Sequence, residues 1–417
     1  MTQPLFRIGI LADDLTGAGD VGGCFARAGF RTVVVLPFNN NTNLIKRNVL
    51  SASSASGATP EVFVIDTESR YEVPEVAQLR VTEAVRALSF WGANFFYKKI
   101  DSALRGNVGP EMDAFLESLL ARGSRHISKG DSSAFISEIP VVAAYPEAGR
   151  QTRSGWQVID GVRLDRSPFA RDPRGTVRQA HIPTFLQETC HSWLFFKVEN
   201  CVEHSDMRRL AAQALKQHSL SGFYACVGSA GLARDMASIL AGGEKSFAQE
   251  TAGKDTLNHR LPTIVVCGSR HPSSLGQIDK FLGSSGRNSI VIEGPGRPDM
   301  NFSDVARSLS LGRQTPTVVV RSTGNAKEPG AVAGWLARTT RRVLRAIGPG
   351  QLVLMGGDTA YSVCEGLGVR KLAIRRMEVP GIAICEPLGS ETERTPKIVL
   401  KPGGFGSPST LIDILKN

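Results

Sequence analysis

Residues 8–23 read Ile-Gly-Ile-Leu-Ala-Asp-Asp-Leu-Thr-Gly-Ala-Gly-Asp-Val-Gly-Gly. An apolar strand (Ile8 to Ala12) runs into two adjacent carboxylates, a Thr-Gly-Ala-Gly turn and then a helix through Phe25 and Ala28. Strand, polar turn and helix in that order are the unit of an α/β fold. Side-by-side carboxylates at a strand end repel, so one of Asp13 and Asp14 should carry a ligand, a metal or a proton. The glycines let backbone N–H groups approach an anion at the helix start. Asp14 alone could instead cap that helix, which leaves Asp13 to be explained. The spacing is neither the dinucleotide fingerprint nor a Walker loop, which would need its lysine.

A second stretch, Tyr97-Lys-Lys-Ile-Asp-Ser-Ala-Leu-Arg-Gly-Asn-Val-Gly-Pro-Glu111, follows the apolar run Phe95–Tyr97. It places Lys98, Lys99, Asp101, Ser102, Arg105 and Asn107 together after a strand, where parallel sheets bind ligands. The cations suit a carboxylate or phosphate, and Asp101 suits a proton or a hydroxyl. A solvated turn with ordinary ion pairs is the alternative. Arg70, in Asp66-Thr-Glu-Ser-Arg70, follows a third strand and suits bidentate carboxylate recognition; a surface pair with Glu68 is its plainer reading. In a parallel sheet these three strand ends share one edge.

These segments carry a family resemblance. Ala12 to Ala18 is similar to the opening Ala-Asp-Asp-[Phe/Leu]-Thr-Gly-Ala of the four-carbon acid sugar kinases, long catalogued only as a domain of unknown function. Lys99 to Asn107 resembles that family's Lys-[Ile/Thr]-Asp-Ser-Thr-Leu-Arg-Gly-Asn, with Ala103 in place of Thr. Pro146, Gly149, Arg150, Thr152, Gly155, Gly161-Val162, Leu164 and Asp172-Pro173 match a further block. Cys267-Gly268-Ser269, Met355 to Ala360 and Leu400 to Gly406 match the C-terminal half. The resemblance covers nearly the whole chain, in order. Two departures stand out. Gly268-Ser269-Arg270-His271 replaces Gly-Ser-x-Ser, and Pro402 and Gly404 replace Ser and Asn in the last loop. Pro402 removes a backbone donor there.

The chain has 417 residues, 41% hydrophobic and 21% charged, which fits a globular protein of two or three domains. No apolar stretch reaches the ~18–20 residues that span a bilayer. The N-terminus lacks a signal-peptide layout. Seven cysteines, at 24, 190, 201, 226, 267, 364 and 385, are scattered without paired close spacing. We expect buried free thiols, no zinc site and a cytoplasmic location. The net charge of +10 raises nucleic acid as a partner. The basic residues are dispersed, however, without a run interleaved with aromatics, so neither nucleic acid nor membrane is expected. Assembly into a homo-oligomer is left open.

Apolar runs alternate with helical patterns: Thr32–Leu36, Val62–Ile65, Phe95–Tyr97, Val141–Ala144 and Gly222–Val227, then Thr263–Val266, Ser289–Ile292, Thr317–Val320, Gln351–Met355 and Lys397–Leu400. We expect an α/β chain of two domains, each a mainly parallel sheet flanked by helices, with a ligand cleft between them. The domains are read as 1–241 and 262–417, joined by a polar linker at 242–261. A Ser-rich surface excursion is expected at 124–137. In the second half, Gly356, Gly357, Asp358 and Thr359 follow a strand and open a helix, Ser269 ends another strand, and Gly403–Gly404 close a third loop. Each could be a plain turn; together they suit a nucleotide's phosphates. His271 reads as a loop residue or a substitute phosphate donor.

The resemblance implies an ATP-dependent kinase that phosphorylates the 4-hydroxyl of a four-carbon acid sugar. The acid would bind the N-terminal half and ATP the C-terminal half. The Lys99–Asn107 form is more similar to the threonate and erythronate branch than to 3-oxo-tetronate kinases. Asp14 or Asp101 would orient or deprotonate the hydroxyl. Asp13, Arg70, Lys98, Lys99, Asp101, Ser102, Arg105 and Asn107 would hold the substrate. Ser269, Gly356, Gly357, Asp358, Thr359, Gly403 and Gly404 would hold ATP. Mg²⁺ would arrive on the nucleotide, near a carboxylate such as Asp358, with no resident metal site. The alternatives are a 3-oxo-tetronate kinase and a sensor on the same fold that binds without turnover.

Overall fold

The computed structural model describes residues 7–37, 47–49, 51, 60–123, 138–171, 177–217, 224–242, 261–284, 289–295, 317–322, 329–348, 350–389 and 396–416. The expected linker (but for residues 242 and 261), the Ser-rich excursion and Asp172-Pro173 lie outside them. The chain divides into two compact units, Met1–Phe247 and Ala248–Asn417.

The first unit is built on β1 (Ile8–Ala12), β2 (Thr32–Val35), β3 (Val62–Asp66), β4 (Phe95–Lys99), β5 (Ile139–Val142), β9 (Phe196–Val198) and β10 (Tyr224–Gly228). They lie in the order β2-β3-β1-β4-β10-β5-β9, and every pairing is parallel. The sequence explains this: β1 to β4 are four- and five-residue runs with every residue buried. That pattern belongs to strands covered on both faces. The covers are α1 (Leu15–Arg27), α2 (Pro74–Trp91), α3 (Val108–Gly123), α4 (Ile182–Thr189), α5 (His204–Gln217) and α6 (Ala230–Leu240). A three-stranded antiparallel sheet, β6 (Arg150–Arg153), β7 (Trp156–Ile159) and β8 (Val162–Arg163), is inserted after β5.

The second unit has strand order β12-β13-β11-β14-β17-β16-β15. These are β11 (Thr263–Cys267), β12 (Ser289–Gly294), β13 (Thr317–Ser322), β14 (Gln351–Met355), β15 (Lys371–Val379), β16 (Ile382–Pro387) and β17 (Lys397–Lys401). Strands β12, β13, β11, β14 and β17 pair in parallel. The hairpin β15–β16 adds two antiparallel strands at the β17 side. Helices α7 (Pro272–Ser284), α8 (Pro329–Ile347), α9 (Gly357–Gly366) and α10 (Thr410–Lys416) complete it. One core cluster joins Val265, Val353 and Val399 of the sheet to Ile278 and Phe281 of α7 and Leu411 and Ile414 of α10. Burial of such side chains contributes about 1.5–3 kcal/mol each.

Candidate active site

In the first unit, β3, β1 and β4 are neighbours, so their C-terminal ends bring Arg70, Asp13–Asp14 and the Lys98–Asn107 loop to one edge. Asp14 is the N-cap of α1. Its Oδ1 accepts from the Gly17 N–H (2.8 Å) and its Oδ2 from the Thr16 hydroxyl (2.8 Å). It does not act alone. The Arg70 guanidinium spans both carboxylates: Nε donates to Asp13 Oδ2 (2.6 Å), Nη1 to Asp14 Oδ2 (2.8 Å), and Nη2 to Oδ1 of each (2.9 Å). The adjacent pair is thus explained by one shared cation, and Arg70 pairs here rather than with Glu68. Burial would raise the Asp13 carboxyl, but Arg70, with Lys98 and Lys99 behind it, outweighs burial and holds it below the usual range.

Backbone strain fixes this geometry. Glu68 and Leu104 hold positive φ (44° and 54°), costly for side chains of that size. Gly106 has φ 89°, and a Cβ there would stand 2.8 Å from Arg70 Cγ and 3.0 Å from its carbonyl oxygen. The Lys99–Asn107 loop can therefore close over Arg70 only with glycine at that position.

Within that loop the structure separates residues that the sequence groups together. Lys99 Nζ donates to the Ile100 carbonyl (2.9 Å) and lies beside Gly17 at the start of α1. Asp101 receives Arg105 Nε (2.6 Å) and Nη2 (3.2 Å). Burial opposes charge on Asp101, yet Arg105, then Arg70 and Lys99, hold its carboxyl far below the usual carboxylate range. Lys98, expected at the substrate, faces the interior. Its ammonium is fully buried and paired with Glu111 Oε2 of α3 (2.6 Å), whose Oε1 accepts from Ser69 Oγ (2.5 Å). Adjacent strand residues point to opposite faces, so Lys98 turns inward where Lys99 faces the loop edge. The Asn107 amide, also expected at the substrate, donates to the carbonyls of Ser69 (2.9 Å) and Glu72 (2.8 Å), bracing the neighbouring loop. Ser102 is partly exposed, and its carbonyl accepts from Gln157 Nε2 of β7 (2.7 Å).

Sequence reasoning overlooked Gln157, Glu111 and Asp66. Burial pushes Asp66 well above the usual range, only partly offset by the Glu68 N–H and reinforced by the Asp14 and Asp13 charges. Its Oδ2 has no hydrogen-bond partner among the described residues. That upward shift favours the neutral form of Asp66, which eases the gathering of three carboxyl groups behind one arginine.

In the second unit, β11, β14 and β17 are neighbours, and their ends carry the three predicted loops. The loops are tied together. The Gly268 N–H donates to Thr359 Oγ1 (3.1 Å), Gly356 N–H to the Lys401 carbonyl (2.9 Å), and Ser274 Oγ to the Gly403 carbonyl (2.7 Å). Gln277 of α7 adds bonds to the carbonyls of Phe405 (3.1 Å) and Ser407 (2.9 Å). Gly356 is the N-cap of α9 with φ 101°, a conformation only glycine adopts without strain. Gly357, Asp358, Gly403 and Gly404 are partly exposed on these loops, and Ser269 Oγ accepts from the His271 N–H (3.2 Å). His271 is half-buried and caps α7, its Nδ1 accepting from the Ser273 N–H (3.2 Å). All seven cysteines are free and buried, as expected. No helix among the described residues is long and apolar enough to cross a membrane. No group of three or more His, Cys, Asp or Glu among them could cage a metal.

Comparison with known proteins follows the same division. Residues 8–195 match the sugar-binding N-terminal domain model, and residues 264–411 match the nucleotide-binding C-terminal domain model. A D-threonate kinase of Salmonella typhimurium is 28% identical, covering 97% of both chains. A D-erythronate kinase of Heliobacterium modesticaldum is 27% identical over 97% of this chain and 96% of that one. A 3-oxo-tetronate kinase of Burkholderia multivorans is 26% identical over 97% and 95%. Among solved structures, a Haemophilus influenzae protein of the family catalogued as a domain of unknown function shares the fold. Its TM-score is 0.68 at 16% identity, over 98% of each chain. With both domain models matched in order and such relatives aligned end to end, the chain belongs to the four-carbon acid sugar kinase family.

Proposed function

We propose that the protein transfers the terminal phosphoryl group of ATP to the 4-hydroxyl of a four-carbon acid sugar, D-threonate or D-erythronate. The observation that carries this reading is the cluster Asp13–Asp14–Arg70–Lys99–Asp101–Arg105 on three adjacent parallel strand ends. It offers cations for a carboxylate and fixed carboxylates for hydroxyls.

With the Arg70 fork spread across Asp13 and Asp14, Lys99 and Arg105 take the substrate carboxylate, and Arg70 orients the two aspartates that accept substrate hydroxyls. Asp101, held strongly acidic, serves as a fixed hydrogen-bond acceptor rather than a strong base. Phosphoryl transfer through a loose transition state asks mainly for positioning and charge neutralisation, so this is enough. The loops at Ser269, Gly357–Thr359 and Gly403–Gly404, with Gly356 shaping the turn, present backbone N–H groups for the ATP phosphates. Asp358 is the carboxylate of these loops that would hold a Mg²⁺ bound with the nucleotide, and the ion would neutralise phosphate charge there. The location is cytoplasmic. Release of ADP measured with D-threonate, D-erythronate and 3-oxo-tetronate tests the reading. Turnover with either of the first two is expected. Turnover only with the third moves the chain to the other branch, and binding without turnover makes it a sensor.

A further inference from the structure

Lys401, the last residue of β17, is fully buried. Among the described residues, its ammonium makes one hydrogen bond, to the Pro402 carbonyl (3.0 Å), and no carboxylate acts on it. A buried cation without a counter-ion is costly, and an anion must normally compensate it. Lys401 is also where the three loops meet. Its carbonyl accepts from Gly356 N–H, it pairs in register with Met355, and its ammonium holds the first carbonyl of the 402–406 loop.

We propose that the Lys401 ammonium supplies the positive charge beneath these loops that a nucleotide's terminal phosphates require, acting through the loop backbone as a positioning residue. This rests on the nucleotide reading of the second unit. In a low-dielectric interior a charge one layer below the phosphates is weakly screened. Phosphate binding would return to Lys401 the counter-charge it lacks.

Burial pulls the Lys401 ammonium down to about 8. Cys267 at the end of β11 is the titratable group acting on it, and burial pushes that thiol up to about 11, so it stays neutral through the range used. Arg321 of β13, which acts on the same thiol, is occupied by Glu293 and Asp279. The helices covering this face bring Ile278, Phe281, Leu411 and Ile414, which carry no charge. An anion that favours the protonated lysine binds fully below pH 8 and is lost as pH rises through the free-state value.

Calorimetry of ADP binding to the full-length protein, in two buffers of different protonation enthalpy, tests this. Wild type should take up protons at pH 8.5, and its ADP affinity should fall about tenfold between pH 8 and 9.5. Adenosine, without phosphates, should bind with no such dependence; phosphate alone should show it if the charge serves any phosphate. Lys401→Met should weaken ADP at pH 7.5 and abolish the slope, while Lys401→Arg should keep ADP affinity and flatten the slope. Flat wild-type binding without proton uptake overturns the proposal and needs no variant. Absence of ADP binding at pH 7.5 overturns the nucleotide reading itself.

Discussion

Replacing Arg70 with alanine should damage the first unit more at neutral than at acid pH. Four hydrogen bonds from one guanidinium, all 2.6–2.9 Å, hold Asp13 and Asp14, and the arginine side chain is 9% exposed. Removing it leaves two neighbouring buried carboxylates with their mutual repulsion, about 4 kcal/mol for unit charges at 4 Å and an effective dielectric of 20. Breaking a buried pair by deleting one partner costs about 3–5 kcal/mol, and the two routes agree. In wild type, Asp13 is depressed, so its contribution is present above the unfolded carboxylate range and lost as pH falls through the lower folded value. In Arg70→Ala the same carboxyl rises, because one proton relieves the repulsion, and the penalty shrinks as pH falls from 7.5 to 5.5. Hydrogen exchange at the β1 and β3 amides, converted to local opening free energies, reads the unit directly. A loss under about 1 kcal/mol at pH 7.5, or an equal loss at both pH values, would refute the shared-cation account.

Asp101→Asn should lower kcat by about 10–100-fold if Asp101 fixes the hydroxyl and Arg105, the range of a lost hydrogen bond to a charged group, ~1.5–3 kcal/mol, with ADP affinity unchanged by calorimetry; an unchanged kcat leaves Asp14 as the group that orients the hydroxyl. Lys98→Met alone should cost about 3–5 kcal/mol of stability by stranding the buried Glu111 charge, and Lys98→Met with Glu111→Leu should recover most of it in urea titrations. Gly356→Ala forces a side chain to φ 101° at the start of α9; ADP affinity should fall at least tenfold while acid-sugar binding persists. Equal loss of both would indicate misfolding.

Five-residue apolar runs ending in charged or glycine loops made the parallel sheets readable, because buried strands show no polar alternation. The strands β6 to β8 were not legible: Arg-Gln-Thr-Arg carries no apolar signature, and tertiary pairing sets it. The β15–β16 hairpin was missed as well, its nine-residue first strand broken by Arg375, Arg376 and Glu378. At the site, residue type located the cluster but not its partners. That Arg70 would bridge both aspartates needs the β1–β3 register. That Lys98 and Lys99 cannot share a face was available from the two-residue period of a strand; that Lys98 would meet Glu111, one helix on, was not. Lys401 gave no signal, because its lack of a counter-ion is a property of packing alone.

The central claim, phosphoryl transfer to a four-carbon acid, is tested most directly by ADP release from ATP in the presence of D-threonate and D-erythronate, with the phosphorylated product located by ³¹P–¹H NMR. The account predicts turnover with at least one of them and phosphate on the 4-oxygen. It also predicts that the neutral sugar alcohol, lacking the carboxylate held by Lys99 and Arg105, is a poor substrate. Tight binding of the acid and of ATP without ADP release, or turnover of the neutral alcohol as fast as the acid, would contradict it.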